Sequence, residues 1–272
     1  VFRKGLGKIK RMYTGYASKT VTFDKVVHLN CDNKPVANPH KVDIVTVSFN
    51  NEQVITEQIR LLAKYLKDPY YYTVADNSSD QAKQEAIMRL CSKSGAGYIR
   101  LPKNPYSKKA PSSSHGFALN WAYRNYIKSR RAAFFGFIDH DIYPIQPTSV
   151  VESLERTPAF GLVQERKDAW YLWPGLCFFA RDYVKDKKID FMPGKYGDTG
   201  SENWESLYTG LDKTKVPQLC HEYGRLREGD NTQSDWFEYV GDWLHTFNAS
   251  CWLEIEDKEG KDSLVAELLN KY

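Results

Sequence analysis

The chain has 272 residues, enough for one large α/β domain or a domain with an appendage around a sizeable core. A hydrophobic share of 42% and a charged share of 26% are ordinary for a globular protein and exclude wholesale disorder. The net charge of +4 is modest and its acids and bases are interspersed, which speaks against a nucleic-acid partner, and no apolar run approaches the ~20 residues of a membrane span.

Residues 1–40 read as a basic N-terminal extension. Val1 to Met12 interleaves lysines and arginines with apolar residues, a pattern of a solvated linker or of a peripheral contact with an anionic membrane surface. Gly5 and Gly7 weaken any helix there. The missing initiator Met points to a processed chain or a fragment. Thr20 to Leu29 has the composition of a short strand or hairpin arm, and the main domain is expected over 41–272.

Val42 to Ser48 is a β-branched strand running into Phe49-Asn50-Asn51. Ile55, Ile59, Leu62 and Leu66 then recur at helical spacing, with Asn50 and Gln53 as a capping pair. Tyr70 to Val74 forms a second strand that ends at Ala75-Asp76-Asn77-Ser78-Ser79-Asp80, where another helix starts. Gly97 to Leu101 is a third strand, followed by a loop of turn formers with Lys103, Lys108 and Lys109. A helix from about His115 turns Phe117, Ala118, Trp121 and Ala122 inward and leaves Asn120 and Arg124 as polar candidates. Strand, helix, strand, helix at this spacing predicts a mostly parallel sheet, which binds ligands beyond the carboxyl ends of its strands.

The run from Arg131 to Asp141 is the most telling, because an apolar strand ends in Asp139 and Asp141, one residue apart. On a strand these side chains share a face while His140 takes the other, so both carboxylates can serve one hard divalent cation. Two solvated acids opening a turn before Pro144 are the bland alternative. Further on, Phe160 to Gln164 is an expected edge strand, and Trp170 to Arg181 an aromatic loop entering another strand. Trp170 and Trp173, before Pro174-Gly175, are candidates to offer an aromatic face to a ligand. Cys31, Cys91, Cys177, Cys220 and Cys251 are scattered, odd in number and without a Cys-x-x-Cys pair. They read as reduced thiols, in keeping with a cytoplasmic protein, and offer no zinc spacing.

Ser-Phe-Asn-Asn after the first strand, Val-Ala-Asp-Asn-Ser-Ser-Asp after the second, then His-Gly-Phe-Ala-Leu-Asn and Phe-Ile-Asp-His-Asp, occur in an order that resembles family-two glycosyltransferases of the GT-A fold. The resemblance runs from about residue 42 to about residue 200. It implies a Rossmann-like, mostly parallel mixed sheet flanked by helices, with 41–141 as the nucleotide-sugar half and 142–272 as the acceptor half. It also implies a hexosyltransferase acting with inversion on a nucleotide-sugar donor, a UDP-sugar being the commonest, and on a glycan or lipid-linked acceptor in polysaccharide synthesis. Ser48, Asn50, Asp76, Asn77, Asn120 and Asp139 would bind the donor. Asp139 and Asp141 would hold Mn²⁺ or Mg²⁺, joined by His245 in the way several such enzymes bring a C-terminal His to the metal. Asp198 is the implied base, with Glu202 second, although this chain has Asp-Thr-Gly where the family usually shows an acidic pair. Trp170, Trp173 and Gly175 fall on the acceptor side.

Other chemistries lack their parts. No Gly-x-Ser-x-Gly elbow and no phosphate-binding Gly-x-x-x-x-Gly-Lys loop is present, and His221-Glu222 lacks a second His at the zincin spacing. A nucleotidyltransferase on a related fold would want a glycine-rich loop where Ser48-Phe49-Asn50-Asn51 stands. A non-catalytic sugar-binding domain would have no need of Asp139, Asp141 and Asp198.

Overall fold

The computed structural model describes residues 28–29, 41–106, 110–229, 233–251 and 255–272. The basic stretch at the N-terminus, with its expected membrane contact, and Lys108, Lys109 and Trp252 lie outside the described residues.

Seven strands form the main sheet: β1 (His28–Leu29), β2 (Val42–Ser48), β3 (Tyr70–Asp76), β4 (Gly97–Arg100), β5 (Phe134–Asp139), β7 (Ala159–Arg166) and β8 (Ala169–Ala180), in the order β1-β4-β3-β2-β5-β8-β7. The four central strands β4, β3, β2 and β5 are parallel, and β1, β8 and β7 are antiparallel to their neighbours. This is the expected mostly parallel mixed sheet, with β7 at its edge. β2 is buried along its whole length, as a strand covered on both faces must be, which explains its Val/Ile/Thr-rich character; its buried Asp43 is paired with Arg130 and Arg181. The edge strand β1 comes from the segment assigned to the extension.

The helices α1 (Glu52–Tyr65), α2 (Gln81–Ser94) and α3 (Pro111–Asn125) are the parallel crossovers; α4 (Val150–Leu154) and α5 (Arg181–Val184) are short, and α6 (Lys258–Asn270) follows the last strand. The N-cap of α1 is Asn51, not Asn50: its side chain accepts from the Val54 amide. Asn50 instead takes a left-handed backbone, φ 51°. Its side-chain oxygen accepts from the amides of Ser79 and Asp80, so it ties the loop after β2 to the loop after β3. Asp80 caps α2 through the amides of Ala82 and Lys83, and Gly95 closes it at φ 76°.

A second, four-stranded antiparallel sheet has the order β6-β11-β10-β9, built from β6 (Ile142–Pro144), β9 (His221–Arg225), β10 (Trp236–Val240) and β11 (Trp243–Thr246). The chain leaves the first sheet at Asp139 and enters the second at Ile142. One core, with Trp121, Tyr126, Phe135, Phe137 and Phe179, lies between the main sheet and α3. A second, with Ile44, Ile55, Leu62, Val74, Ile87 and Trp243, lies on the face of α1 and α2. A smaller one joins α1, the second sheet and α6 through Leu61, Tyr143, Leu244 and Leu268.

Trp170 to Arg181 is not a loop running into a strand. It is β8 from Ala169 to Ala180, and Pro174-Gly175 sits in an irregularity of that strand, between the β7 pair at Leu172 and the pairs with β5 from Leu176 and with β7 from Cys177 onward. A proline lacking an amide hydrogen is tolerated there because no ladder bond needs it.

Candidate metal centre

Asp139 is the last residue of β5, and His140-Asp141 forms the turn into β6, so the two carboxylates do not lie on one continuous strand. They converge nonetheless. Asp139, Asp141 and His245 each offer a ligand atom, and these atoms all lie within 4.8 Å of one another. His140 is buried on its own account.

The turn is held from below by Gln58 of α1. Its amide donates to the carbonyls of Asp139 (2.8 Å) and Ile142 (2.7 Å), while its own carbonyl accepts from the Tyr72 hydroxyl at 2.6 Å. It is held from above by the end of β11 and the segment that follows it. The Thr246 amide donates to the Asp141 carbonyl at 2.9 Å, and the Ala249 amide to Asp141 Oδ2 at 3.1 Å. Asn248, in that segment, is buried with φ 65°, a left-handed conformation that Asn tolerates better than most residues.

His245 enters from β11. Its Nε2 is 3.6 Å from Asp141 Oδ1, and its Nδ1 is 2.9 Å from Glu238 Oε1. The imidazole is clamped between Trp173 and Phe247, with ring centroids 4.8 and 4.5 Å away. On the opposite side, His115 Nε2 at the start of α3 lies 3.3 Å from Asp139 Oδ1.

The electrostatics suit a cation. Burial pushes the Asp139 carboxyl up; His115 opposes this and the Asp141 charge adds to it. Burial alone would lower His245, but its hydrogen bond to Glu238 and the charges of Asp141, Glu238 and Asp139 carry it above the ordinary histidine value. Burial would likewise raise Glu238, and the two histidines beside it hold it below the usual carboxylate range. Two carboxylates forced together with an imidazole are relieved by a divalent cation. Two hard oxygens with one neutral imidazole nitrogen fit Mn²⁺ well and leave positions open for further oxygens.

The expected donor residues are placed less uniformly. Asp76 is fully buried, and its carboxylate accepts from the Ser48 hydroxyl (3.1 Å), the Ser78 amide (2.9 Å) and the Tyr98 hydroxyl (2.9 Å). Ser48 and Asp76 thus engage each other beneath the strand ends. Asn77 is half-buried and accepts from Asn104 at 3.0 Å. Asn120 is engaged within the fold: its amide donates to Asp190 (2.7 Å) and its carbonyl accepts from the Phe191 amide (2.9 Å). It fastens α3 to the segment that leads to Asp198.

Asp198 is exposed, and its Oδ1 accepts from the Thr199 amide at 2.7 Å. The Thr199 hydroxyl donates to the Ser112 carbonyl at 3.1 Å, so this segment is bound to the first turn of α3, just before the His115 that meets Asp139. Glu202 lines a pocket with Lys195, Tyr196 and Glu205. Trp173 lies over Gly175, where a Cβ would come within 2.2 Å of its ring. Trp170 is a core residue instead: it is buried against Tyr208 and Trp204, with centroids 5.0 and 6.2 Å away. Strand alternation separates the two tryptophans, since residues three apart on one strand point to opposite faces: Trp170 joins the core under α3 and Trp173 meets His245.

Three functional contacts were missed from the sequence: Gln58, His115 and Glu238. Only His115 stood inside a quoted motif, and nothing local marked its imidazole as a partner of Asp139.

No family model matches the chain, and no curated protein does. Among solved structures it is similar to TarS of S. aureus (18% identity, TM-score 0.38, over 56% of this chain and 30% of that one). It is similar also to the mannosyltransferase PcManGT from Pyrobaculum calidifontis in complex with GDP-Man and Mn²⁺ (15%, 0.41, 64% and 52%). A third is glucosyl-3-phosphoglycerate synthase from Mycobacterium tuberculosis, in complex with Mn²⁺, UDP and glucosyl-3-phosphoglycerate (15%, 0.35, 56% and 61%). The chain spans less than two thirds of the length of each. At these identities and scores, nothing about substrate or mechanism carries across. The solved structures it is similar to are GT-A type glycosyltransferases.

Proposed function

We propose that this chain is a metal-dependent glycosyltransferase that moves a sugar from a nucleotide-sugar, a UDP-sugar in the first instance, to a hydroxyl of a glycan or lipid-linked acceptor. The observation that carries this reading is the convergence of Asp139, Asp141 and His245 at the carboxyl end of the parallel strands. Mn²⁺ or Mg²⁺ bound there supplies a Lewis acid for the charge that develops on a leaving diphosphate.

The chain's own residues supply the rest. Asn50 and Asn77, at the ends of β2 and β3, line the nucleoside slot. Asp76 supports that slot from beneath by holding Ser48, Ser78 and Tyr98. Trp173, packed at a tilt of 45° against His245, offers an aromatic face to the acceptor. Asp198 takes the proton from the acceptor hydroxyl as that oxygen bonds to the anomeric carbon, while the bond from that carbon to the diphosphate oxygen breaks on the other side. The result is inversion. Support for Asp198 over Glu202 comes from its neighbour Thr199, whose hydroxyl donates to Ser112 in the first turn of α3, just before the His115 that meets Asp139.

Calorimetry with UDP and Mn²⁺ tests the reading. Asp141→Ala should lower the affinity at least tenfold, about 1.4 kcal/mol. Unchanged affinity in a folded variant would remove the metal from the mechanism. A thermal-shift screen of nucleoside diphosphates with Mn²⁺ should single out the donor class, since a ligand at 100 times its Kd adds ~2.7 kcal/mol.

A further inference from the structure

Glu238 is a buried carboxylate outside the proposed ligand set, and imidazoles meet both of its oxygens. Oε1 lies 2.9 Å from Nδ1 of His245, and Oε2 lies 3.2 Å from Nδ1 of His221. The register explains the first contact. Glu238 on β10 stands directly across from His245 on β11, so their side chains share one face of the second sheet. His221 reaches the same carboxylate from β9, at the surface.

An acceptor at Nδ1 fixes the neutral ring with its proton on that nitrogen. The lone pair is then left on Nε2, the nitrogen that points to Asp141 Oδ1. Trp173 and Phe247 hold the ring plane but supply no hydrogen bond that would choose between its two nitrogens. Burying a carboxylate in a sheet face is costly unless its oxygens are engaged, and a leucine would fill the space without that cost.

We infer that Glu238 is a positioning residue of the metal centre, which selects the His245 tautomer able to bind a divalent cation, and that His221 anchors its second oxygen. The inference rests on the metal-dependent reading above and deepens it. A carboxylate that merely satisfied a buried histidine would affect folding and leave metal ligation alone, so the two roles separate by experiment.

The first measurement needs no variant. Long-range ¹H–¹⁵N correlation on the metal-free wild type, at a pH where the ring is neutral, should place the His245 proton on Nδ1. A proton on Nε2 overturns the inference. The second uses Mn²⁺ with UDP and electron spin-echo spectroscopy. The wild type should show a coordinated nitrogen that is lost in His245→Ala. Glu238→Gln keeps a carbonyl acceptor for Nδ1–H and should retain the nitrogen signal with near-wild-type Mn²⁺ affinity. Glu238→Leu should lose the signal and bind Mn²⁺ at least about tenfold more weakly. A wild type that binds no Mn²⁺ fails the proposed function and this inference together. Wild-type binding whose nitrogen signal and affinity persist in Glu238→Leu overturns the inference alone.

Discussion

Asp76 and Asp198 sit at opposite extremes of burial, and their substitutions should therefore fail in opposite ways. Asp76 satisfies two hydroxyls and an amide in a fully buried site. Truncation leaves these donors unpaired at about 1–3 kcal/mol each. Asp76→Ala should accordingly lower Tm by at least about 4 °C, since each kcal/mol shifts a chain of this size by about 2–4 °C. Differential scanning calorimetry checks this, and an unchanged Tm would mean that water replaces the carboxylate. Asp198 is exposed and accepts only local hydrogen bonds from Thr199, so Asp198→Asn should leave Tm and donor affinity intact. As the proposed base, its loss should lower kcat by at least about 10²-fold, with UDP affinity measured in parallel. Near-normal turnover in Asp198→Asn would pass the role to another group.

Elements rich in local pattern were legible; those defined by partners distant in the chain were not. β2, α1, β3 and β4 follow from β-branched runs, helical spacing and turn formers, because each pattern is complete within a dozen residues or so. The second sheet was not foreseen. β10 and β11 are four or five residues long, and only their pairing with β9 and β6 makes them a sheet. The site divides the same way. Asp139 and Asp141 announce themselves one residue apart, whereas Gln58 reaches their turn across a long stretch of chain, and Glu238, although close to His245 in sequence, meets it only through the pairing of two short strands that carry no local mark. The N-cap expectation slipped by one residue because adjacent asparagines are chemically equal, and the left-handed turn at Asn50 decided between them. β5 owes its fit to a similar constraint. A Cβ at Gly136 would lie 2.0 Å from Phe178 Cδ1 on the paired strand β8. Gly136→Ala should destabilise the protein by about 1–3 kcal/mol. It should also weaken Mn²⁺ binding, because any shift of β5 moves Asp139 at its end; retention of both wild-type Tm and affinity would show that Phe178 yields freely.

In the whole molecule, the two sheets are joined by a short passage of chain, Asp139 to Ile142, and the candidate ligands are shared across it. Asp139 ends a strand of the first sheet, while His245 lies within the second. Asp141 and Thr246, 105 positions apart in sequence, are already hydrogen-bonded at that passage. Gln58 and α6 add further ties, the latter through the Lys261 ammonium donating to the Phe247 carbonyl. A cation gripped from both sides acts as a rivet. It couples the opening of the smaller sheet to that of the larger, because neither can swing away without giving up a ligand. Amides of β10 and β11 should therefore exchange with solvent about a hundredfold more slowly when Mn²⁺ and UDP are present at 100 times their Kd, and a chelator should restore the faster rate. Slowing confined to β2, β3 and β5 would place the bound nucleotide on the first sheet alone. With such a rivet in place, the strands that carry Glu238 and His245 would gain their rigidity from the proposed donor complex, and a binding event at the end of one sheet would set the mechanical coherence of the other.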